Sequence, residues 1–280
     1  MTIKTILVHL DELPRCTARI KLAAQLALRY EAHLVGLSPT GLIAMPAQAG
    51  FALGGSSDYI QLSFDYLERR ALEIANAFKI EALKHGVSSC EARVEQAEPL
   101  PAMAMHAPGS DLVIVGQTDP AYAASPAAGD FPQQVVMHAG RPVLVVPYAG
   151  NFETSGRHVF VAWSPTRESS RALGDALPFL ERAEKVHVIY FASSEEAAEE
   201  GRVPLDRTLA RLGRHGVPAE GGMEITSIDV GNALLSRATD FGADLMVMGC
   251  YGHSRLKELM LGGVTRTVLA SMTVPVLMSH

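Results

Sequence analysis

Residues 244–278 read "DLMVMGCYGHSRLKELMLGGVTRTVLASMTVPVLM". The apolar run at its start is too short for a helix and stops at Gly249, which fits a buried strand. "GVTRTVLASM" carries apolar residues at helical spacing, and "VPVLM" is a second short β-branched run. Strand, glycine-bearing loop, helix and strand in that order form the unit of a parallel sheet with crossover helices.

The same unit stands earlier in the chain as "DLVIVG" and "RPVLVVP". An offset of 133 residues aligns Asp111 with Asp244, Gly116 with Gly249, Gly129 with Gly262 and Pro142 with Pro275. At the first strands the offset is 153, pairing Val8 with Val161. The difference of 20 residues matches the apolar loop "TGLIAMPAQAGFALGGSS" at 40–57, read as an insertion in the first copy. Strands are expected at 4–10, 32–38, 89–95, 111–116 and 141–147, then at 158–163, 185–192, 221–227, 244–249 and 274–279. Helical spacing predicts helices over 16–31, 58–86, 99–107, 168–183, 204–216, 230–242 and 263–272, the second of them long and amphipathic with a charged outer face. The fold class is α/β: two tandem doubly wound domains, each a five-stranded parallel sheet with helices on both faces. They are expected at 1–148 and 157–280, joined through the polar, glycine-bearing "YAGNFETSG".

Composition narrows the function. A net charge of −6 with scattered Lys and Arg offers no basic stripe for nucleic acid. Three cysteines without CxxC spacing and ten histidines without a ligand-like cluster argue against a disulfide framework and a metal site. These features and the absence of a membrane-length apolar run fit a cytoplasmic protein. The usual P-loop and serine-hydrolase signatures are absent from the chain.

Parallel sheets bind ligands at the carboxyl ends of their strands, where crossovers leave to opposite faces. Glycines there let the backbone approach a ligand, and the N–H groups of a following helix attract anions. Gly249, Gly252 and Gly262 follow a predicted strand with two and nine residues between them and lead into a predicted helix. This spacing resembles the nucleotide-binding signature of the universal stress protein family, G-x2-G-x9-G followed by Ser or Thr, and the resemblance extends over the chain as a tandem of two such domains.

The resemblance implies binding of ATP or another adenine nucleotide, with or without magnesium, in the second domain. There Gly249, Gly252, Gly262, Gly263, Val264 and Thr265 would line the phosphates, with Gly263 at the family's hydroxyl position. His253 and Arg255 could reach phosphate, while Trp163 and Tyr251 could flank the adenine. Ser164 stands where the family has an Asp, and a serine is a poor magnesium ligand, so binding without efficient hydrolysis and no catalytic residue are expected. The first domain keeps Asp11 at that position, but Asp119 and Asp130 replace Gly252 and Gly263, and two carboxylates would repel phosphate. It is read as a degenerate copy without nucleotide. Cys250, beside a helix N-terminus, is a minor candidate for a reactive thiol.

The implied role is that of a stress-response sensor or regulator. The alternative is a nucleotide-free interaction module that binds a partner or an apolar ligand through the 40–57 loop. In either case the last strands are candidates for edge pairing within the chain or in a homodimer.

Overall fold

The computed structural model describes residues 2–41, 57–122, 130–152, 155–250 and 263–280, with backbone alone at 57–60. The chain divides into two compact units, Ile3–Arg141 and a second that contains Pro142–His280.

In the first unit the strands are β1 (Thr5–His9), β2 (His33–Pro39), β3 (Cys90–Glu95) and β4 (Leu112–Gly116). They form a parallel sheet in the order β3-β2-β1-β4. Its helices are α1 (Cys16–Tyr30), α2 (Ser57–Lys84), α3 (Pro99–His106) and α4 (Phe131–His138). Ile6, Leu7 and Val8 of β1, together with Leu112–Val115 of β4, are buried, as expected for strands covered on both faces. One face of α2 lies against the sheet through Ala71, Ala75, Phe78 and Ala82, a spacing that places them on one helical stripe. The Phe78 ring rests on Gly36 of β2 so closely that a Cβ there would lie 2.7 Å from it, and this contact requires the glycine.

In the second unit β6 (His158–Ala162), β7 (Lys185–Ala192), β8 (Ala219–Ile225), β9 (Leu245–Gly249) and β10 (Val276–Ser279) form five parallel strands in the order β10-β9-β6-β7-β8. β5 (Val143–Val146) joins this unit antiparallel to β10, with Leu144 opposite Leu277. The pairing gives β10 a neighbour on its outer side, and both strands are fully buried. The helices are α5 (Arg167–Leu180), α6 (Glu195–Arg214), α7 (Val230–Phe241) and α8 (Gly263–Ser271).

Local readings differ from expectation in places: no helix was predicted over Phe131–His138, where α4 stands. Helix α6 begins nine residues before Pro204, where the sequence pattern placed its start. The Ser194 hydroxyl caps the Ala197 N–H at 3.1 Å, and Glu195 and Glu196 occupy the first turn, so the true N-terminus is well capped. Pro204 is carried inside the helix. The outer face of α2 is charged as expected, with Asp65, Arg69, Glu73 and Lys79 exposed, but it also exposes Leu62, Tyr66, Leu72, Ile80 and Leu83.

No described helix is long and apolar enough to cross a membrane. The 40–57 loop falls outside the described residues except for Thr40, Gly41 and the helical backbone of Ser57.

Candidate functional site

In the second unit β6 lies between β7 and β9. The chain leaves β6 towards β7 on one side and returns to β9 and β10 on the other, so the gap beyond the carboxyl ends of β6 and β9 is the topological switch point. Ala162 and Met248 are paired across these strands, which sets Trp163 and Ser164 beside Gly249 and Cys250.

Each of these residues is fixed from the backbone outward. The Trp163 N–H donates to the Ile189 carbonyl at 2.8 Å, extending the parallel ladder by one bond. Its indole is 5% exposed and meets Tyr190 edge-on, with ring centroids 5.8 Å apart. The indole Nε1 is buried with no hydrogen-bond partner among the described residues. Buried donors are seldom left unsatisfied, and this one lies next to the switch point. The Ser164 N–H donates to Ser169 Oγ at 3.1 Å, and the Ser164 carbonyl accepts from the Thr166 N–H at 2.7 Å. The Ser164 hydroxyl is 3.4 Å from Thr166 Oγ1. Thr166 in turn caps α5 by accepting from the Ser169 N–H at 3.3 Å. Thr166 is thus an ordinary threonine N-cap, while the Ser169 hydroxyl ties the first turn of α5 back to the Ser164 N–H.

Gly249 is required by packing. A Cβ there would lie 2.5 Å from the carbonyl carbon of Glu168 and from the Ser169 nitrogen, so the first turn of α5 sits directly on the end of β9. Glu168, which sequence reasoning did not single out, is buried at that turn and hydrogen-bonded to Arg167. Burial pushes its carboxyl pKa up, but the Arg167 hydrogen bond, local backbone N–H groups and nearby positive charge outweigh it and hold the group below the usual carboxylate range.

Gly263 opens α8, is exposed, and has nothing among the described residues within 4 Å of where a Cβ would be. Val264 is half-buried. Thr265 is buried, and its hydroxyl hydrogen-bonds to the Cys250 sulfur, tying the first turn of α8 to the residue that follows β9. Cys250 is wholly buried, and burial pushes its thiol up to about 12, which corrects the reactive-thiol expectation: desolvation overrides the nearby helix terminus. Tyr251, Gly252, His253, Arg255 and Gly262 lie outside the described residues.

Trp163, Ser164 and Gly249 are thus brought together at the switch point, and the Thr265–Cys250 bond links Gly263, Val264 and Thr265 to the same strand end. Among the described residues no group of His, Cys, Asp or Glu could hold a metal ion. The carboxylates nearby are engaged, Glu168 with Arg167 and Asp175 with the Ser279 hydroxyl at 2.8 Å.

The corresponding place in the first unit, beyond β1 and β4, is filled from within. Arg19 of α1 is buried; its Nε donates to the His9 carbonyl at 2.8 Å and an Nη donates to Asp11 Oδ2 at 2.8 Å. Its guanidinium lies over Gly116, 2.3 Å from where a Cβ would be. Burial pushes the Asp11 carboxyl up, but Arg19 and His9 outweigh it and hold Asp11 ionised below its usual range. His9 packs against Phe131 with the rings tilted and their centroids 4.7 Å apart, and burial brings its pKa down to about 4. Asp119 accepts the Ala121 N–H at 2.9 Å, stabilising the 3-10 turn at Pro120–Tyr122, and Asp130 stands exposed before α4.

Residues 156–280 match the universal stress protein family. A crystal structure of a universal stress protein from Archaeoglobus fulgidus DSM 4304 aligns with 99% of this chain and 96% of its own, with TM-score 0.73 and 14% identity. A functionally unknown protein from Pseudomonas aeruginosa PAO1 aligns with 99% of this chain and 92% of its own, with TM-score 0.64 and 16% identity. Such identities establish likeness of fold. No curated protein matches the chain. The C-terminal part of the chain, residues 156–280, therefore belongs to the universal stress protein family.

Proposed function

We propose that the protein is a stress-response regulator that binds ATP or another adenine nucleotide at the switch point of its second unit and hydrolyses it little or not at all. The observation that carries this reading is the buried Nε1 of Trp163 at the carboxyl end of β6, which has no hydrogen-bond partner among the described residues. Beside it the Ser164 hydroxyl suits a ribose or base oxygen, and the open N-terminus of α8 at Gly263 suits phosphate. Gly252, His253, Arg255 and Gly262 complete the phosphate cradle in this reading, Val264 adds a second amide, and Thr265 holds the helix in place through Cys250.

Little hydrolysis follows from the donor set. Ser164 offers a hydroxyl where a carboxylate would be needed to hold magnesium well, and Glu168 and Asp175 are already engaged. The first unit carries no nucleotide in this reading, since Arg19 occupies the space above Gly116 and takes up Asp11.

Trp163 is the one tryptophan of the chain, so its fluorescence reports this site alone. Titration with ATP is expected to change the emission saturably in the micromolar range, with matching retention in equilibrium dialysis. Gly252→Asp, which places a carboxylate in the cradle, should abolish both signals. Absence of ATP binding to the unmodified protein, or equal binding by the variant, would overturn the proposal.

A further inference from the structure

Helix α2 carries two apolar stripes. At about 100° per residue, Ala71, Ala75, Phe78 and Ala82 fall together on the side facing the sheet, while Leu62, Tyr66 and Ile80 fall on the opposite side. Leu83 and Leu72 extend the second stripe along one flank. These five side chains are exposed, at 71% for Leu62, 64% for Tyr66, 48% for Leu72, 67% for Ile80 and 61% for Leu83. Single exposed apolar residues are ordinary, but here large ones are grouped at both ends of about 32 Å of one helix, Leu62 with Tyr66 and Ile80 with Leu83, with Leu72 on the flank between them, and such grouping marks an interaction surface.

The order of residues in the row selects the partner. Read about its midpoint, near Leu72 and Glu73, the stripe is close to a palindrome. An antiparallel second copy of α2 sets Leu62 opposite Leu83 and Tyr66 opposite Ile80, each pair occurring twice. On one flank Asp65 comes opposite Lys79, and near the centre Arg69 comes within a turn of Glu73; all four charged residues are exposed. A parallel copy would instead set Arg69 against Arg69 and Glu73 against Glu73, which like-charge repulsion disfavours.

We propose that the outer face of α2 is a two-fold homodimer interface in which α2 pairs antiparallel with α2 of a second chain. The contact is isologous and therefore closes at two copies. A single helix stripe buries less than a standard-size interface, so the dimer is reversible and concentration-dependent. Tyr66 and Ile80 are its anchors, apolar side chains near the middle of each half of the contact.

Sedimentation velocity on the full-length protein over a range of concentrations tests this. The unmodified chain is expected to pass from monomer to dimer, and Ile80→Glu to raise the dissociation constant by about tenfold or more without lowering the melting temperature. In a Cys90→Ser background, Tyr66→Cys combined with Ile80→Cys should give an intermolecular disulfide under mild oxidation, whereas Tyr66→Cys alone should not. A protein monomeric at every concentration, a dimer that Ile80→Glu leaves undiminished, or cross-linking by Tyr66→Cys alone would overturn the proposal.

Discussion

The two switch-point crevices are built on one plan and closed in different ways. The 153-residue offset that pairs Val8 with Val161 pairs Asp11 with Ser164 and Arg19 with Ala172. In the first unit the long side chain of Arg19 reaches over Gly116 and joins Asp11 and the His9 carbonyl. In the second, Ala172 has nothing to extend, and the backbone of α5 itself comes down onto Gly249. A side chain thus fills one crevice, while in the other the first turn of α5 backs against the strand end and the Trp163 indole N–H has no partner among the described residues.

The comparison can be broken most strongly at Arg19. Arg19→Ala leaves Asp11 and the His9 carbonyl without their partner in a nearly closed space, and should destabilise the first unit by about 3 to 5 kcal/mol. Replacing both members, Arg19→Met with Asp11→Asn, should recover much of that loss; chemical denaturation of the three variants measures it. No recovery would mean that Arg19 acts through packing and not as a charge.

The two glycines beneath these groups give a smaller contrast. Gly249→Ala drives a methyl group into the backbone of Glu168 and Ser169, which cannot step aside, and should cost about 2 to 3 kcal/mol. Gly116→Ala meets the far end of the Arg19 side chain, which can move, so its cost should be lower by at least about 1 kcal/mol. Equal melting temperatures for the two variants would remove the distinction between a side-chain lid and a backbone contact.

The smallest effect is in acid. His9 is buried and neutral, with a folded pKa brought down to about 4 against an ordinary 6.5. Between those values the unfolded chain binds the extra proton, so stability is full above the unfolded pKa and falls as the pH drops through this window. At pH 5 the loss should be about 2 kcal/mol relative to pH 8. Asp11, depressed by Arg19, adds a further loss at lower pH with the same sign. An NMR titration of the His9 ring that showed protonation near 6.5 in the folded protein would contradict the burial account.

Most strands were legible because a strand buried on both faces must be a short, nearly continuous apolar run, and such runs stand out against polar connections, whereas β3 and β8 are only partly buried and carry no such run. The duplication was legible for the same reason, through fixed offsets between identical dipeptides. The start of α6 was hidden because Pro204 carries a strong local signal for a helix start. Its effect is overridden by the Ser194 cap and the carboxylates of the first turn. The second apolar stripe of α2 was equally hidden, since a helix that shows apolar residues on two sides looks much like one that is simply well buried.

By itself the sequence determined two doubly wound copies and the residues standing at their strand ends, because periodicity and spacing are properties of the chain. Which atoms are free at those ends was decided only by tertiary packing. Asp119 and Asp130 marked the first domain as a copy without nucleotide, but that Arg19 of α1 takes up Asp11 was visible only in the fold, and Cys250 was a minor candidate thiol until burial and Thr265 closed over it. Whether a polar group is available depends on what the rest of the fold places within hydrogen-bonding reach, and a linear pattern carries no record of that distance.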